Sequence, residues 1–238
     1  MLNVYYTEIP GNINKNETIS ALFALVSPQK NGSMRDVPNA DRVLVSLTGS
    51  RLLEKHASAL LGVPVSDITY ENLTSGKPRF AFDQNVSFNI SHSGNTVCAA
   101  LNICGGSGPY IEVGVDCEEF IDQDQKLKSM TKLTERYFSE AEIRYVSGCR
   151  RKAEKCRLFY KLWTAREAHA KLSGTGIFRE ISDKDVIVID QEGGLSYRDG
   201  KLLRQFFTER AVITLAADRL PDPADITLIN VPFNELPA

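Results

Sequence analysis

The segment Cys104-Gly105-Gly106-Ser107-Gly108-Pro109 places three glycines and a proline within six residues, a break that neither a helix nor a strand tolerates. It divides the chain's 238 residues into two stretches of comparable length, each the size of a small domain. The two stretches share an order of elements. In the first, apolar residues recur at helical spacing from Ala40 to Leu61, where Gly62 and Pro64 end the pattern. Strands then follow at Val86–Ile90 and Thr96–Asn102, with Ser91-His92-Ser93-Gly94-Asn95 as the turn between them. The second opens on a β-rich stretch, Tyr110–Asp116, and continues with helical spacing over Leu133–Gly148 and Ala153–Leu172. Four short strands close it, at Asp185–Ile189, Gly194–Tyr197, Leu202–Thr208 and Ala211–Ala216. Short strands at Val4–Glu8 and helical character over Thr18–Val26 complete the reading. The expectation is an α+β fold of two pseudo-symmetric lobes, residues 1–109 and 110–238, each a small antiparallel sheet packed with a long helix. A site would lie in the cleft between them.

Composition narrows the function classes. With 42% hydrophobic and 24% charged residues, a sizeable core can form, and disorder or a disulfide scaffold fits poorly. A formal charge of −2 argues against a chain devoted to nucleic acid. Five cysteines, an odd number without metal-site spacing, read as free thiols of a reducing cytosol. The start, MLNVYYTEIP, lacks the pattern of a signal peptide, and no apolar run reaches the ~18 residues a spanning helix needs. These features point to a soluble, cytoplasmic protein without membrane attachment.

Chemistry concentrates in three places. Asp116 and Glu118 flank Cys117 near a strand end, and the two-residue period puts both carboxylates on one face. Two like charges so close repel unless a cation sits between them, and hard oxygen ligands suit Mg²⁺. A solvated strand end carrying two acids is the plainer explanation. In Trp163-Thr164-Ala165-Arg166-Glu167-Ala168-His169-Ala170-Lys171, Trp163, Glu167 and Lys171 fall at i, i+4 and i+8 on one helical stripe. There Trp163 can anchor the helix, Glu167 can add a third carboxylate, and Lys171 can meet a phosphate or take a proton; a core anchor with a surface ion pair is the alternative. Ser91-His92-Ser93 could converge on an anion, whereas a hydrolase triad lacks its Gly-x-Ser-x-Gly elbow. His56 and His169 read as packing or surface residues, and Gly174 to Gly176 as a turn.

In this order, Gly76-Lys77-Pro78, Phe88-Asn89-Ile90-Ser91-His92-Ser93, Gly114-Val115-Asp116-Cys117-Glu118, and Trp163 to Ala168 with Lys171 resemble the 4′-phosphopantetheinyl transferase superfamily, in its two-lobed surfactin-synthetase class. The resemblance runs from about Asp41 to the end. It implies that fold, a monomer, and transfer of the phosphopantetheine arm of coenzyme A to a serine of an apo acyl or peptidyl carrier protein. It also implies Asp116, Glu118 and Glu167 as Mg²⁺ ligands, Glu167 and Lys171 as aids to deprotonating the serine, Ser91 and His92 on coenzyme A phosphates, and Gly76-Lys77-Pro78 along the nucleotide pocket. Two positions depart from the family pattern: Arg166 stands where Lys is usual, and Glu54 where the first-lobe helix commonly carries an Arg for the 3′-phosphate. A catalytically silent coenzyme A or carrier binding module, and a Mg²⁺-dependent phosphohydrolase, are the competing functions. From Lys126 to Lys171 there are 13 Lys and Arg against 5 Glu, a local basic segment that the overall balance conceals and that would steer an acidic carrier.

Overall fold

The structure, a computed structural model, describes residues 1–104, 110–120, 123–174, 186–219 and 225–237, with the backbone alone for 123–129. The glycine-rich break at 105–109 and the second glycine of the Gly174 to Gly176 turn lie outside the described residues.

The long first-lobe helix forms where the apolar spacing places it, at Ala40–Leu61 (α3). The Asn39 side chain caps its start by accepting from the Arg42 amide at 3.0 Å. Gly62 ends it in the left-handed region, at φ 67°. Its buried stripe, which includes Val43, Leu47 and Leu53, lies on a sheet of Leu2–Glu8 (β1), Val86–Ser93 (β4), Thr96–Ile103 (β5) and Ile226–Asn230 (β11), in the order β11-β1-β5-β4. In the other lobe, Val113–Glu119 (β6), Leu202–Phe207 (β9) and Ala211–Ala217 (β10) form an antiparallel sheet in the order β6-β10-β9. It carries Lys152–Ser173 (α6) on one face, where Leu162, Ala165 and Ala168 meet Val212 and Ala216. The remaining faces of the two sheets meet each other through Leu2, Val4, Cys98 and Ala100 on one side and Val113, Val115, Ile213 and Leu215 on the other. The layers therefore run α3, first sheet, second sheet, α6.

Smaller elements decorate this frame: Lys15–Leu25 (α1), Pro28–Met34 (α2), the hairpin Tyr70–Asn72 (β2) with Pro78–Phe80 (β3), Gln123–Tyr137 (α4), Glu140–Ser147 (α5), and the hairpin Ile187–Ile189 (β7) with Leu195–Tyr197 (β8). Among the described residues no helix is long and apolar enough to cross a membrane. All five cysteines are free.

Three readings of the sequence are corrected. Ser91-His92-Ser93 is not a turn but the end of β4, paired with β5 through Ser93 and Thr96; the turn is Gly94-Asn95 alone. Leu133–Gly148 is not one helix. A capping box, in which Ser139 accepts from the Glu142 amide and Glu142 accepts from the Ser139 amide, starts a second helix there. The strand pairing also does not follow the division at residue 109. The end of the second stretch returns to the first lobe, where β11 lies parallel to β1 and Val231, Phe233 and Leu236 enter the first core.

Candidate active site

Strand β4 alternates as its sequence requires, with Val86 and Phe88 turned into the first core. The opposite positions, Ser87, Asn89, Ser91 and Ser93, are all polar and face the edge strand β6 of the other sheet. Ser87 Oγ accepts from the Val113 amide at 3.1 Å and Asn89 Oδ1 from the Val115 amide at 2.9 Å. Ser91 Oγ donates to Asp116 Oδ1 at 2.8 Å and Ser93 Oγ to Glu118 at 2.7 Å. Side chains of one lobe thus satisfy backbone and carboxylate groups along the edge of the other. This ladder fixes the carboxylates of β6 against β4.

Asp116 and Glu118 share one side of β6, as the strand period requires, and α6 lies over that side. Glu167 and Lys171, one helical turn apart, line the same cavity of about 300 Å³ as Ser91, His92, Asp116 and Glu118. Trp163, the first residue of the helical stripe, stays out of it and packs between Tyr137 and Phe159, with ring centroids 5.9 and 6.0 Å away. Lys171 Nζ donates to Asp116 Oδ1 at 2.6 Å and to Ser91 Oγ at 2.8 Å. Gly114 makes this approach possible: its missing side chain would stand 2.2 Å from the Ala168 carbonyl oxygen of α6.

Charge is shared unevenly. Burial, then the neighbouring Asp116, raises the Glu167 carboxyl to a pKa of about 7, against the opposing pull of Lys171. Burial works against the Lys171 ammonium, but Asp116 and Glu167 outweigh it and its pKa is raised. Lys171 is therefore held as a cation, while Glu167 is poised to exchange a proton near neutral pH. His92 is exposed, and its pKa is lowered by partial desolvation and by Lys171. The second carboxylate oxygen of Asp116 is buried without a hydrogen-bond partner. Among the described residues no three His, Cys, Asp or Glu stand together as a ready-made metal cluster. The three carboxylates on one cavity, with an orphaned buried oxygen, nevertheless have the donor chemistry of a hard cation site.

Gly76, Lys77 and Pro78 line a neighbouring cavity of about 270 Å³ that shares Lys171 with the first. The Lys77 ammonium is already committed. It donates to the carbonyls of Val113 at 2.6 Å and Leu172 at 3.2 Å and pairs with Glu112 at 2.6 Å. It ties the first lobe to β6 and to the end of α6. Glu54 is buried in the first core, where Ser27 donates to it through Oγ and amide and Tyr70 through its hydroxyl at 2.7 Å. Arg166 is buried too and pairs with Glu142, so its charge holds α5 to α6. His56 stacks on Tyr5 at 3.9 Å and His169 bonds Asp199 at 2.9 Å, both in packing roles.

Lys30 was not found from sequence. It lines a third cavity with Tyr70, Phe88 and Ile90, of about 320 Å³, beside the carboxylate site. Ser27 at the cap and Pro28 at the first helical position were the legible signals for α2, the helix that carries Lys30.

The family model described as the 4′-phosphopantetheinyl transferase superfamily matches residues 112–216, and that of a 4′-phosphopantetheinyl transferase N-terminal region matches residues 14–103. The 4′-phosphopantetheinyl transferase gsp of Aneurinibacillus migulanus is 28% identical over 76% of this chain and 70% of its own length. The 4′-phosphopantetheinyl transferase Sfp of Bacillus subtilis is 27% identical over 80% of this chain and 77% of its own. A crystal structure of a holo-(acyl-carrier-protein) synthase from Bacillus anthracis, in complex with CoA (3′,5′-ADP), covers 44% of this chain and 93% of its own at 22% identity and a TM-score of 0.36. Two matching family models, one on each side of the glycine-rich break, together with curated relatives matched over most of both lengths, make this chain a member of the 4′-phosphopantetheinyl transferase superfamily.

Proposed function

We propose that the cavity between β4, β6 and α6 transfers the 4′-phosphopantetheine arm of coenzyme A to a serine of an apo carrier protein and releases adenosine 3′,5′-bisphosphate. The observation that carries this reading is the pairing of a carboxyl held near pH 7, Glu167, with a cation held by Asp116 and Ser91, Lys171, in one cavity. Attack of a hydroxyl on the β-phosphorus calls for a base at the nucleophile and positive charge at the phosphate oxygens. Glu167 takes the serine proton. Lys171, which stays an ammonium, meets phosphate oxygens instead of acting as a base, and Ser91 and His92 contribute polar contacts beside it. Asp116, Glu118 and Glu167 are the residues that would hold Mg²⁺, which supplies charge neutralisation at the pyrophosphate when bound. Gly76 and Pro78 contribute the wall of the nucleotide side, with Lys77 holding that wall in place.

For the partner, the exposed Arg144, Arg150, Arg151 and Arg157 of the basic segment offer a surface to an acidic carrier, while Arg166 and Lys171 are spent inside. The reading places the protein in the cytoplasm as a monomer whose cleft lies between two lobes of one chain. The test is mass spectrometry of a panel of apo carriers incubated with coenzyme A and Mg²⁺. A phosphopantetheine mass gain that Glu167→Gln and Asp116→Asn abolish is expected. Release of adenosine bisphosphate without any carrier would instead reveal a phosphohydrolase, and no gain with any carrier would refute the proposal.

A further inference from the structure

Ser46, Ser50 and Glu54 recur every four residues along α3, a spacing that puts them on one stripe of the helix. The stripe is polar, and it meets α2 and the cavity that Lys30 lines. Ser46 Oγ accepts from Lys30 Nζ at 2.8 Å, Ser50 borders the cavity, and the fully buried Glu54 accepts from Ser27 and Tyr70. Resting on the transferase reading above, we infer that Glu54 is a positioning residue for coenzyme A: it holds α2 and β2 against α3 and thereby sets Lys30 and Tyr70 in the cavity wall.

The two elements that Glu54 ties down are too slight to hold themselves. Helix α2 has seven residues and buries none of them, and a helix so short is marginal alone. Strand β2 has three residues and forms a two-stranded ribbon with β3, which is marginal for the same reason of size. Gln29 of α2 joins the two, donating to the Tyr70 carbonyl at 3.0 Å and accepting from the Tyr70 amide at 2.7 Å. Glu54 fastens both to the long helix. Its Oε2 accepts from the Ser27 amide at 2.8 Å, and its Oε1 accepts from the Ser27 hydroxyl at 2.7 Å and from the Tyr70 hydroxyl at 2.7 Å. Ser27 is the cap of α2, and its Oγ in turn accepts from the Lys30 amide at 3.4 Å. The chain of contacts thus runs from Glu54 through the cap to Lys30.

Under the transferase reading this cavity stands beside the bound ligand. Pro78 borders both it and the cavity of Gly76 and Lys77, and Ile90 borders both it and the carboxylate cavity. Asp116, Glu118, Glu167 and Lys171 do not line it. A shift of α2 therefore reaches coenzyme A binding and leaves the reacting groups in place. At the position where the family resemblance sets an Arg on a phosphate, this chain carries an acid that supports the wall from behind.

The test separates binding from chemistry. Glu54→Leu, which keeps bulk but accepts no hydrogen bond, should raise the dissociation constant of coenzyme A and its KM about tenfold, some 1.4 kcal/mol, while kcat at saturating coenzyme A stays within about twofold. Glu54→Gln should bring both constants back to within about threefold of wild type. Its amide oxygen can accept from the Ser27 amide, and its NH₂ can donate to the hydroxyls of Ser27 and Tyr70, which are able to accept. Ser27→Ala serves if Glu54→Leu does not fold: Ser27 does not line the cavity, so the rise of about threefold expected in both constants has to pass through α2. Calorimetry on each variant reads stability beside affinity. A lower Tm with coenzyme A affinity unchanged would confine Glu54 to the core and overturn the inference, as would a fall in kcat with KM unchanged. A wild-type protein that neither binds coenzyme A nor modifies a carrier would bring down the transferase reading and this inference with it.

Discussion

Gly114→Ala tests how closely the catalytic arrangement depends on the distance between β6 and α6. A Cβ at position 114 would lie 2.2 Å from the Ala168 carbonyl oxygen, 2.5 Å from the Leu172 nitrogen and 2.9 Å from the Leu172 Cα. Ordinary contact begins near 3.4 Å, so strand and helix must part by about 1 Å, and every obstacle is backbone that cannot rotate aside. The same separation carries the 2.6 Å contact between Asp116 and Lys171, two residues along the strand and one residue before Leu172 on the helix. Overpacking of this kind costs about 1–3 kcal/mol, and a misplacement near 1 Å at a reacting centre costs on the order of 10²-fold in rate. At the size of this chain each kcal/mol lowers Tm by roughly 2–4 °C. Gly49→Ala is the comparison, because its Cβ would meet side-chain methyls alone, Ile90 Cγ2 at 2.8 Å and Val97 Cγ1 at 3.4 Å, and no backbone. Carrier modification rates and calorimetry on both variants decide the matter. A Gly114→Ala enzyme with wild-type rate and Tm would refute the reasoning.

Other consequences can be measured separately. Glu142→Ala removes the buried Glu142 carboxylate that pairs with Arg166 and one half of the capping box of α5, and denaturant titration should show a loss of about 3–5 kcal/mol; a loss below 1 kcal/mol would contradict the buried pair. His56, whose pKa falls from 6.5 to about 4 through burial and then the charges of Lys55 and Arg51, is neutral in the fold and protonated more readily when unfolded. Stability should therefore be fully present above pH 6.5 and decline as the pH drops toward 4, by about 3 kcal/mol at most, with His56→Phe flattening that part of the curve. If the basic surface of Arg144, Arg150, Arg151 and Arg157 guides the carrier, its apparent KM should rise with added salt while bisphosphate binding changes little; a KM indifferent to salt would remove that role.

The parts of the site that were legible in the sequence are those set by a local period. The alternation of β4, the Asp-x-Glu spacing of β6 and the i, i+4 stripe of α6 each fix which way a side chain faces, and the structure brings Ser91, Asp116, Glu118, Glu167 and Lys171 to one cavity. Local period says nothing about what lies opposite. Lys77 is expected along the nucleotide pocket with Gly76 and Pro78, yet the carbonyls and the carboxylate that absorb its charge lie 35 residues or more away in the chain. Arg166 and Glu54 looked like departures at a ligand surface, and both are buried ionic groups with their own partners. The strand β11 was missed for the same reason: Ile226 to Asn230 has ordinary β character, but its partner is the second residue of the chain onward.

That last pairing bears on the order in which the protein can be completed. The first lobe contains β1, yet its outermost strand and three of its core side chains come from residues 226–236. Arg51 and Lys55 of α3 donate to the carbonyls of Leu236 and Glu235, at 3.0 and 2.7 Å, which ties that segment to the helix. During synthesis the edge of β1 that β11 covers stays open until residues 226–230 are made. The first lobe is thus sealed only by residues 226–236, and a chain without them would leave the edge of β1 open beside a complete second sheet.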